Sequence, residues 1–186
     1  NYGVKVDYSN AVVLENVDIT AGVAAVLNSN YGSKTITIKN SKLNILGTWT
    51  RDNTTKTTYV FEGANSIDEF ITDAAIDNFK LADKNSTLTA PQGLTVTTDV
   101  DGSEVVYAGG KYQVVKEGTV AKIGDTCYTS FASAYNAAQA GETITLFDNV
   151  KLTGKHTIAK GITIDGNGFS IIADETAVWY TVGNFN

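Results

Sequence analysis

The sequence predicts an all-β protein whose main architecture is a right-handed parallel β-helix, with a short capping helix and an antiparallel β tail. Three observations predict this class. Two segments near the N-terminus share one apolar pattern around an asparagine, a middle region combines strand patterns with hairpin-turn signals, and the last region begins with an amphipathic helix. Short β-rich runs separated by Asn and Gly are typical of a solenoid in which each coil stacks on the previous one.

Residues 1–47 are predicted to form two coils of the β-helix. The segments AVVLENVDIT and KTITIKNSKLNI match around Asn16 and Asn40, which are 24 residues apart. An asparagine at a bend can adopt the left-handed conformation and hydrogen-bond to neighbouring coils. A β-hairpin protein could also place Asn at bends, but the tandem match favours the solenoid. The predicted core residues of these coils are Val12, Leu14, Val17, Ile19, Ile36, Ile38, Leu43 and Ile45.

Residues 48–91 break this pattern, and we predict an irregular or helical insertion that ends a first domain covering residues 1–91. The run SIDEFITDAAIDNFKLA has apolar residues at helical spacing, and Ser66 with Glu69 fits a capping box. Pro91, the only proline, marks the boundary.

Residues 92–120 are predicted to form an antiparallel β tail or linker. Their alternating pattern is interrupted at Asp101-Gly102 and at Gly109-Gly110, both of which are hairpin-turn signals. Such a tail would close one end of the preceding coils.

Residues 121–186 are predicted to start a second β-helix. Thr129 or Ser130 would cap a helix that runs through Gln139 and has one apolar face. The runs ETITLFDNVKL and GITIDGNGFSII would then supply the first coils. The predicted core residues of this region are Ile144, Leu146, Ile162, Ile164 and Ile171.

Composition and charge exclude several classes of protein. The 186 residues, 42% of them hydrophobic, suffice for a core in one elongated or two small domains, and the net charge of -6 argues against nucleic-acid binding. No apolar run approaches the length of a membrane span. Because the chain starts at Asn1 and contains no Met, we expect a processed chain or a fragment. Single copies of Cys127 and His156 exclude disulfide frameworks and Cys/His zinc sites within one chain.

The segment IGDTCYTSFASAYNAAQAGETITLFDNVKL resembles the N-terminal entry of pectin-lyase-like right-handed parallel β-helices. More narrowly, it is similar to repeat modules of large bacterial surface proteins, in which an IGDT-x-Y start, an A-G-x-T-I-T-L first coil and an I-T-I-D-G-N-G second coil recur. Residues 92–119 resemble the β linker between successive modules. The resemblance implies extracellular display and implies no reaction.

The order of the regions departs from that of such modules. In the modules a capped start precedes the coils and a β tail closes them, whereas here the order is coils, tail and capped start. Joining Asn186 to Asn1 would restore the usual order, so the chain corresponds to a circularly permuted module or to a segment cut across two modules. We therefore expect one open solenoid face at each end of the chain.

We expect no catalytic, cofactor-binding or metal-binding residue, and we predict that the protein is not an enzyme. Pectin-lyase-like enzymes use clustered Asp, Lys and Arg, but the only arginine, Arg51, lies in the irregular stretch. Asp148 and Asp165 lie in turn sequences, where Asp is favoured for backbone reasons. His156 has no Asp or Ser partner at motif spacing. The run TDVDGSE has too few ligands for an EF-hand loop and fits a hairpin turn.

Two further surface features have candidate roles. Asn53 and Asn85 begin glycosylation sequons in predicted surface segments, although such triplets are frequent by chance in a chain rich in Asn and Thr. A sugar-binding face could be lined by five aromatic residues, but aromatic residues of solenoids more often belong to the stacked core or to its ends. The five are Tyr2, Tyr31, Trp49, Trp179 and Tyr180.

These features together predict a non-enzymatic structural protein, extracellular or on the cell surface, whose open N- and C-terminal faces join head to tail into a filament or array. Its expected partners are copies of itself, with neither nucleic acid nor membrane insertion. An adhesin or glycan-binding module that contacts cell-surface or host glycans is the alternative, and a polysaccharide lyase or hydrolase ranks third. Folding back of one chain, or frayed cut ends, would also account for open faces. The residues expected at the assembly interface are Val4, Val6, Val12, Ile162, Ile164, Ile171, Val178, Tyr180 and Val182.

Overall fold

The computed structural model confirms the all-β class. It describes residues 1–6, 11–30, 34–50, 57–71, 78–174 and 178–181, with the backbone alone at 28–30, 48–50, 155–158 and 178–181. With 57% of the chain in strands, the protein winds into a parallel β-solenoid of about six turns. Parallel crossovers favour the right-handed sense that the sequence predicts. The chain divides into two compact units, Asn1–Val115 and Lys116–Asn186.

The first unit consists of stacked coils followed by an antiparallel hairpin. Its described strands are β1 Tyr2–Val6, β2 Ala11–Glu15, β3 Asp18–Ile19, β4 Ala24–Asn30, β5 Lys34–Lys39, β6 Lys42–Thr50, β7 Thr57–Glu62, β8 Ala64–Ile71, β9 Asn78–Leu81, β10 Thr87–Thr89, β11 Val96–Thr98, β12 Ser103–Ala108 and β13 Lys111–Lys116. One sheet has the order β2-β5-β7-β9-β11, and the other runs β1-β4-β6-β8-β10 and ends in β13 and β12. Strand β3 pairs with the start of β6, and β13 pairs antiparallel with β10.

Equivalent inward positions of successive coils stack into continuous apolar rows. One row contains Val12, Ile36, Tyr59, Phe79 and Val96, and the next contains Leu14, Ile38, Phe61 and Leu81. Ile36, Ile38 and Tyr59 are fully buried, and each such side chain contributes about 1.5–3 kcal/mol of transfer free energy. The rings of Tyr59 and Phe79 stack with centroids 5.6 Å apart. These rows explain why β-branched and aromatic residues alternate with polar ones.

The predicted asparagine bends are confirmed. Asn16 and Asn40 have φ angles of 54° and 45°, and Gly63 has a φ angle of 69° at the corresponding bend of the next coil. The backbone N–H of Ala64 donates to Oδ1 of Asn40 over 3.1 Å, and the N–H of Asn40 donates to the carbonyl of Glu62 over 3.1 Å. Each bend is therefore tied to the bend of the next coil, which keeps the coils in register.

The predicted helix in the run from Ser66 is wrong in its described part. Residues 64–71 form β8, which continues the sheet beside β6, and residues 78–81 form β9. The N–H of Ser66 donates to the carbonyl of Ser41 over 3.0 Å instead of taking part in a helix cap. Pairing with β6 and the burial of Ile67 override the helical spacing, since tertiary context outweighs local propensity. Residues 72–77 lie outside the described residues.

The first-unit core differs from prediction at Ile45. Leu43 and Leu46 are fully buried, while Ile45 is half-buried and pairs with Glu69. The start of β6 pairs with β3 and its remainder pairs with β4. Between these two parts the buried position shifts by one residue, from the series of Leu43 to that of Leu46. Of the other predicted positions, the side chains of the first coil are half-buried and pack against the core, namely Val12, Leu14, Val17 and Ile19.

The second unit contains two parallel coils behind a cap. Its described elements are β14 Ala121–Ile123, β15 Thr126–Tyr128, α1 Phe131–Ala137, β16 Thr143–Leu146, β17 Val150–Leu152, β18 Lys155–Ile158, β19 Thr163–Asp165, β20 Ile171–Ala173 and β21 Val178–Thr181. Strands β16, β17 and β18 pair in parallel with β19, β20 and β21, respectively. On the other side of β16 lies β14, which is antiparallel and therefore ends the parallel stack.

The predicted capping helix is present. Helix α1 begins after Ser130, whose side chain accepts a hydrogen bond from the N–H of Ser133, and it ends at Ala137 rather than at Gln139. Phe131 and Ala134 are buried in the core of the unit. Because α1 covers the first coil, the apolar interior is closed at this end.

Candidate assembly faces

Among the residues that the structure describes, each unit has one end closed by further elements and one open end that finishes in strand edges. In the first unit the closed end is formed by β13 and β12, and the hydroxyl of Tyr112 accepts from the N–H of Leu94 over 2.8 Å and donates to the carbonyl of Pro91 over 3.2 Å. In the second unit the closed end is formed by α1, β14 and β15. The opposite ends are sheet edges. We call the outer edges of β1, β2 and β3 the N-face, and those of β19, β20 and β21 the C-face.

The N-face exposes an incomplete coil. Among the described strands, β1 pairs with β4, β2 with β5 and β3 with β6, each on one side only. Val12 and Leu14 on β2 are half-buried, whereas Ile36 and Ile38, beside them in the next coil, are fully buried. The exposed part of Val12 and Leu14 is therefore the part that a further coil would cover. On the outer surface of the same strand, Val13 is 59% exposed.

The interface residues predicted on β1 behave differently from each other. Val4 is half-buried and packs against the core, so it belongs to the N-face. Val6 is only 3% exposed and is covered within the chain. Val17 and Ile19 of the first coil also lie at the N-face, and both are half-buried. The sequence pattern assigns them to the core, because it does not show that their coil stands at the end of the stack.

The C-face has the same character. Ile162, Ile164 and Ile171 are half-buried and pack on the core of the second unit, whereas Ile144 and Leu146 in the preceding coil are fully buried. A further half-buried ring, which the sequence did not single out, comes from Phe169. Val178 and Tyr180 lie on β21, where they pair with Lys155 and Thr157, and Val182 lies outside the described residues.

The coil at the N-face and the coil at the C-face contain strands and an asparagine bend in the same sequential order. Asn16 stands between β2 and β3 with a positive φ, and Asn167 stands between β19 and β20 with a φ of 49°. Nδ2 of Asn167 donates to the carbonyl of Leu146 in the neighbouring coil over 3.0 Å. In the order of strands and bends, β19 therefore takes the place of β2 in its coil, and β20 and β21 follow it as β3 and β4 follow β2.

Charges of alternating sign follow one outer row of the first unit. Glu15, Lys39 and Glu62 occupy the same position in three successive coils, and Nζ of Lys39 lies 2.8 Å from a carboxylate oxygen of Glu62. The hydrogen bond to Glu62, aided by the negative charges of Glu62 and Glu15, raises the pKa of Lys39. On β19 the equivalent position is Asp165, which follows the last inward side chain of its strand as Glu15 does.

Of the residues considered for chemistry, Asp148 lies in the bend after β16, Asp165 is the last residue of β19, and His156 lies on β18. Asp148 and Asp165 accept hydrogen bonds from nearby backbone N–H groups of Asn149 and Asn167 over 2.7 and 2.9 Å, as turn residues do. Arg51 lies outside the described residues. Within the described part of the chain, no three His, Cys, Asp or Glu side chains approach each other as a metal site requires.

The two sequons differ in what the structure describes. Asn85 is exposed in the bend between β9 and β10, and its N–H donates to Oδ1 of Asp83 over 2.7 Å. Ser86 is fully buried, and its hydroxyl accepts from the N–H of Gly63 over 3.2 Å. Asn85 is therefore at the surface, Ser86 packs into the bend, and Thr87 is half-buried at the start of β10. Asn53 lies outside the described residues.

An open groove of about 460 Å³ follows the asparagine bends. Four polar residues in it, Asp18, Lys42, Ser66 and Thr89, are in register on four successive coils. The side chains of its wall are used between coils, as when Oδ1 of Asn65 accepts from the N–H of Ser41 over 3.0 Å. One set of side chains in the groove therefore bonds neighbouring coils to each other, and the row formed by Asp18, Lys42, Ser66 and Thr89 provides its polar outer surface.

Comparison with known proteins adds no relative to this description. No protein-family model, no curated protein and no solved structure matches the chain. Helix α1, the one helix in the described residues, has seven residues and is too short to cross a membrane.

Proposed function

We propose that the chain is a non-enzymatic extracellular structural protein, a β-helical subunit that assembles head to tail with copies of itself into a surface filament or array. The observation that supports this proposal is the presence of one closed and one open end in each unit, with the same coil order at both open faces. The C-face of one copy would stack on the N-face of the next and complete a continuous solenoid.

Both main-chain and side-chain interactions would favour this contact. An open sheet edge presents unpaired N–H and C=O groups, and strand addition satisfies them. Burial of the half-exposed Val12 and Leu14 against Ile162 and Ile164 would add about 25 cal/mol for each Å² of apolar surface removed from water. Because the two faces differ, the contact is heterologous and propagates into a filament unless its rotation closes a ring.

The proposed location and family rest on resemblance. The region from Ile123 to Leu152 is similar to the entry of pectin-lyase-like β-helices and to repeat modules of bacterial surface proteins. Those modules are displayed outside the cell, and stacked β-coils suit a building block of an extended assembly. We therefore place the filament on the cell surface.

Sedimentation velocity over a range of protein concentrations, combined with electron microscopy, tests the proposal. We expect the wild type to grow with concentration into filaments or closed rings, and we expect Leu14→Asp, Val178→Asp or deletion of residues 176–186 to remain monomeric. Val13→Asp is the matched control, since Val13 is on the outer surface of the same strand and its variant should assemble normally. A wild type that stays monomeric at every concentration would contradict the proposal and would indicate closure within one chain or frayed ends.

The second candidate function is glycan binding, which the polar row of the groove favours. Lys42 and Thr89 are exposed and in line with Asp18 and Ser66, so a linear polymer could contact several coils. A glycan array should then show binding that Lys42→Ala with Thr89→Ala removes, while the monomeric variant Leu14→Asp retains it. Release of products from pectin or alginate, abolished by a single Asp substitution, would instead support the lyase or hydrolase alternative.

A further inference from the structure

Strand β1 projects one coil beyond the rest of the N-face. Strands β2, β3 and β4 follow one another in a single coil, and β1 pairs with the outer edge of β4, with Val4 beside Val26 and Val6 beside Asn28. The outer edges of β2 and β3 are open among the described strands, while the corresponding edge of β4 is covered. The N-face is therefore stepped.

The described strands of the C-face show no such step. Strands β19, β20 and β21 succeed one another in one coil, and each pairs with the equivalent strand of the preceding coil. If β19 of one copy docks on β2 of the next and β20 docks on β3, then β21 reaches the outer edge of β4. That is the edge to which β1 is already bound.

We infer that β1 is a displaceable plug, which competes with β21 of a neighbouring copy for the outer edge of β4 and thereby controls assembly. The inference rests on the proposed head-to-tail function, of which it specifies the regulation. In the plugged state two of the three columns can dock, and full docking requires β1 to leave.

Most side chains of β1 lie at the surface: Tyr2, Gly3 and Lys5 are exposed and Val4 is half-buried. Val6 is buried, Nζ of Lys34 donates to its carbonyl over 3.3 Å, and the N–H of Val23 donates to the carbonyl of Asn1 over 3.1 Å. Tyr2 is 52% exposed. A strand with few buried apolar side chains opens more readily than the core strands do, and β21 would replace its ladder with an equivalent one.

Gly3 offers a way to release β1 without shortening the chain. A Cβ atom at Gly3 would lie 2.5 Å from the carbonyl oxygen of Ala25 and would collide with a methyl group of Ile19. The substitution Gly3→Val should therefore push β1 away from β4. Lys5→Ala is the matched control, because Lys5 is exposed on the same strand.

The first experiment removes the plug and measures assembly by sedimentation and electron microscopy. Deletion of residues 1–6 and Gly3→Val should each lower the concentration of half-assembly about tenfold or more, the effect expected when the competent state is populated one time in ten. Lys5→Ala should leave it unchanged. Adding Leu14→Asp to the deletion should abolish assembly, which distinguishes docking from aggregation.

The second experiment locks the plug in place. Adjacent strand positions lie about 5 Å apart, within the range of a disulfide, so Val4→Cys with Val26→Cys in a Cys127→Ser background can join β1 to β4. The oxidised protein should fail to form filaments, and reduction should restore them.

The outcomes separate this inference from the proposed function. If the deletion weakens assembly and the oxidised lock has no effect, β1 is part of the docking face, so the plug is refuted while head-to-tail assembly stands. If the wild type, the deletion and the reduced lock are all monomeric, the proposed function fails and the plug fails with it.

Discussion

Asn40 and Gly63 depend on each other at the point where two coils meet. A Cβ atom at Gly63 would collide with Oδ1 of Asn40, the oxygen that accepts the hydrogen bond from Ala64. Asn40 itself has a left-handed backbone, which Asn tolerates better than most residues. Oδ1 of Asn40 therefore occupies the space that a Cβ atom at position 63 would need. This is why one of the two adjacent bends carries Asn and the other carries Gly.

Substitution of Asn40 should separate the backbone and side-chain contributions to the bend. We expect Asn40→Ala to reduce the free energy of unfolding by about 2–3 kcal/mol, since it loses a hydrogen bond and puts Ala in the left-handed region. Asn40→Gly keeps the backbone conformation and should lose only about 1 kcal/mol. Urea unfolding followed by circular dichroism measures both, and equal losses would show that backbone strain has no part.

The pair of Lys39 and Glu62 should make stability depend on alkaline pH. The folded-state pKa of Lys39 is raised, so the stabilisation is fully present below the ordinary lysine pKa and is lost as the pH rises through the folded value. Glu62→Gln should therefore melt below the wild type near neutral pH, and the difference should shrink as the pH rises above the ordinary lysine pKa and through the raised pKa of Lys39. A difference that stays constant across this range would contradict the assignment.

At the residue scale, the sequence predicts what depends on local conformation. Asn16 and Asn40 could be identified because their left-handed bends lie inside a repeated apolar pattern. The hydrogen bonds of Lys160 could not be predicted from the sequence. Their acceptors are 22 to 25 residues away in the chain, and no local pattern relates them to Lys160.

Helix α1 is the element that closes the second unit, and one lysine completes it. Nζ of Lys160 donates to the carbonyls of Tyr135, Asn136 and Ala138 over 2.8 to 2.9 Å. These carbonyls lie at the C-terminal end of α1, where backbone acceptors lack helical partners and a positive charge is favoured. Lys160 therefore joins the cap to the turn between the two coils.

Loss of Lys160 should loosen the cap. We expect Lys160→Met to destabilise α1 by roughly 1–3 kcal/mol, because three acceptors lose a charged donor. Hydrogen exchange should accelerate in residues 131–138 and in β16, while the first unit is unaffected. Lys151→Met, at an exposed position on β17, is the control. Unchanged exchange in α1 would show that the cap does not need this lysine.

The elements that the sequence pattern predicts wrongly are those whose structure depends on pairing with a neighbouring strand. The helical spacing in the run from Ser66 is real, yet β8 forms there because β6 offers an edge whose register buries Ile67 beside Leu43. Helix α1, by contrast, has its own cap in Ser130 and no strand competing for its backbone. Local pattern decides the element only where no sheet edge is within reach.

At the scale of the whole molecule, charge should oppose the proposed assembly. Alignment of the inward residues of β19 on those of β2 puts Asp165 of one copy opposite Glu15 of the next, and each copy carries a net charge of -6. Like charges at directly opposite positions cost roughly 0.2–1 kcal/mol. Added salt should therefore promote assembly by screening this repulsion.

Neutralisation of Asp165 tests that register. Asp165→Asn retains an oxygen for the N–H of Asn167 but removes the charge, so it should assemble at lower concentration and respond less to salt. Asp148 accepts a similar backbone hydrogen bond in the preceding coil. Asp148→Asn is therefore the control and should assemble as the wild type does. Identical behaviour of both variants in sedimentation experiments would refute the proposed alignment of β19 with β2.

The elements that close the two units were predictable from the sequence, because the capping helix and the hairpin turns carry local signals. The step at the N-face was not predictable, because it depends on the pairing of β1 with β4, in which Tyr2 lies beside Ala24, 22 residues further along the chain. The sequence pattern also does not distinguish a residue of an end coil from a residue of an inner coil. Leu14 and Ile38 occupy the same position in neighbouring coils, but Ile38 has a described coil on each side and Leu14 has one on only one side.

Mixing two blocked variants tests head-to-tail assembly most directly. Leu14→Asp disables the N-face and Ile164→Asp disables the C-face, so each variant alone should be monomeric, with circular dichroism to confirm that both remain folded. An equimolar mixture retains one intact N-face and one intact C-face and should give a 1:1 dimer that grows no further, measured by sedimentation velocity. A mixture that stays monomeric, or a single variant that still forms filaments, would contradict the assembly proposed here.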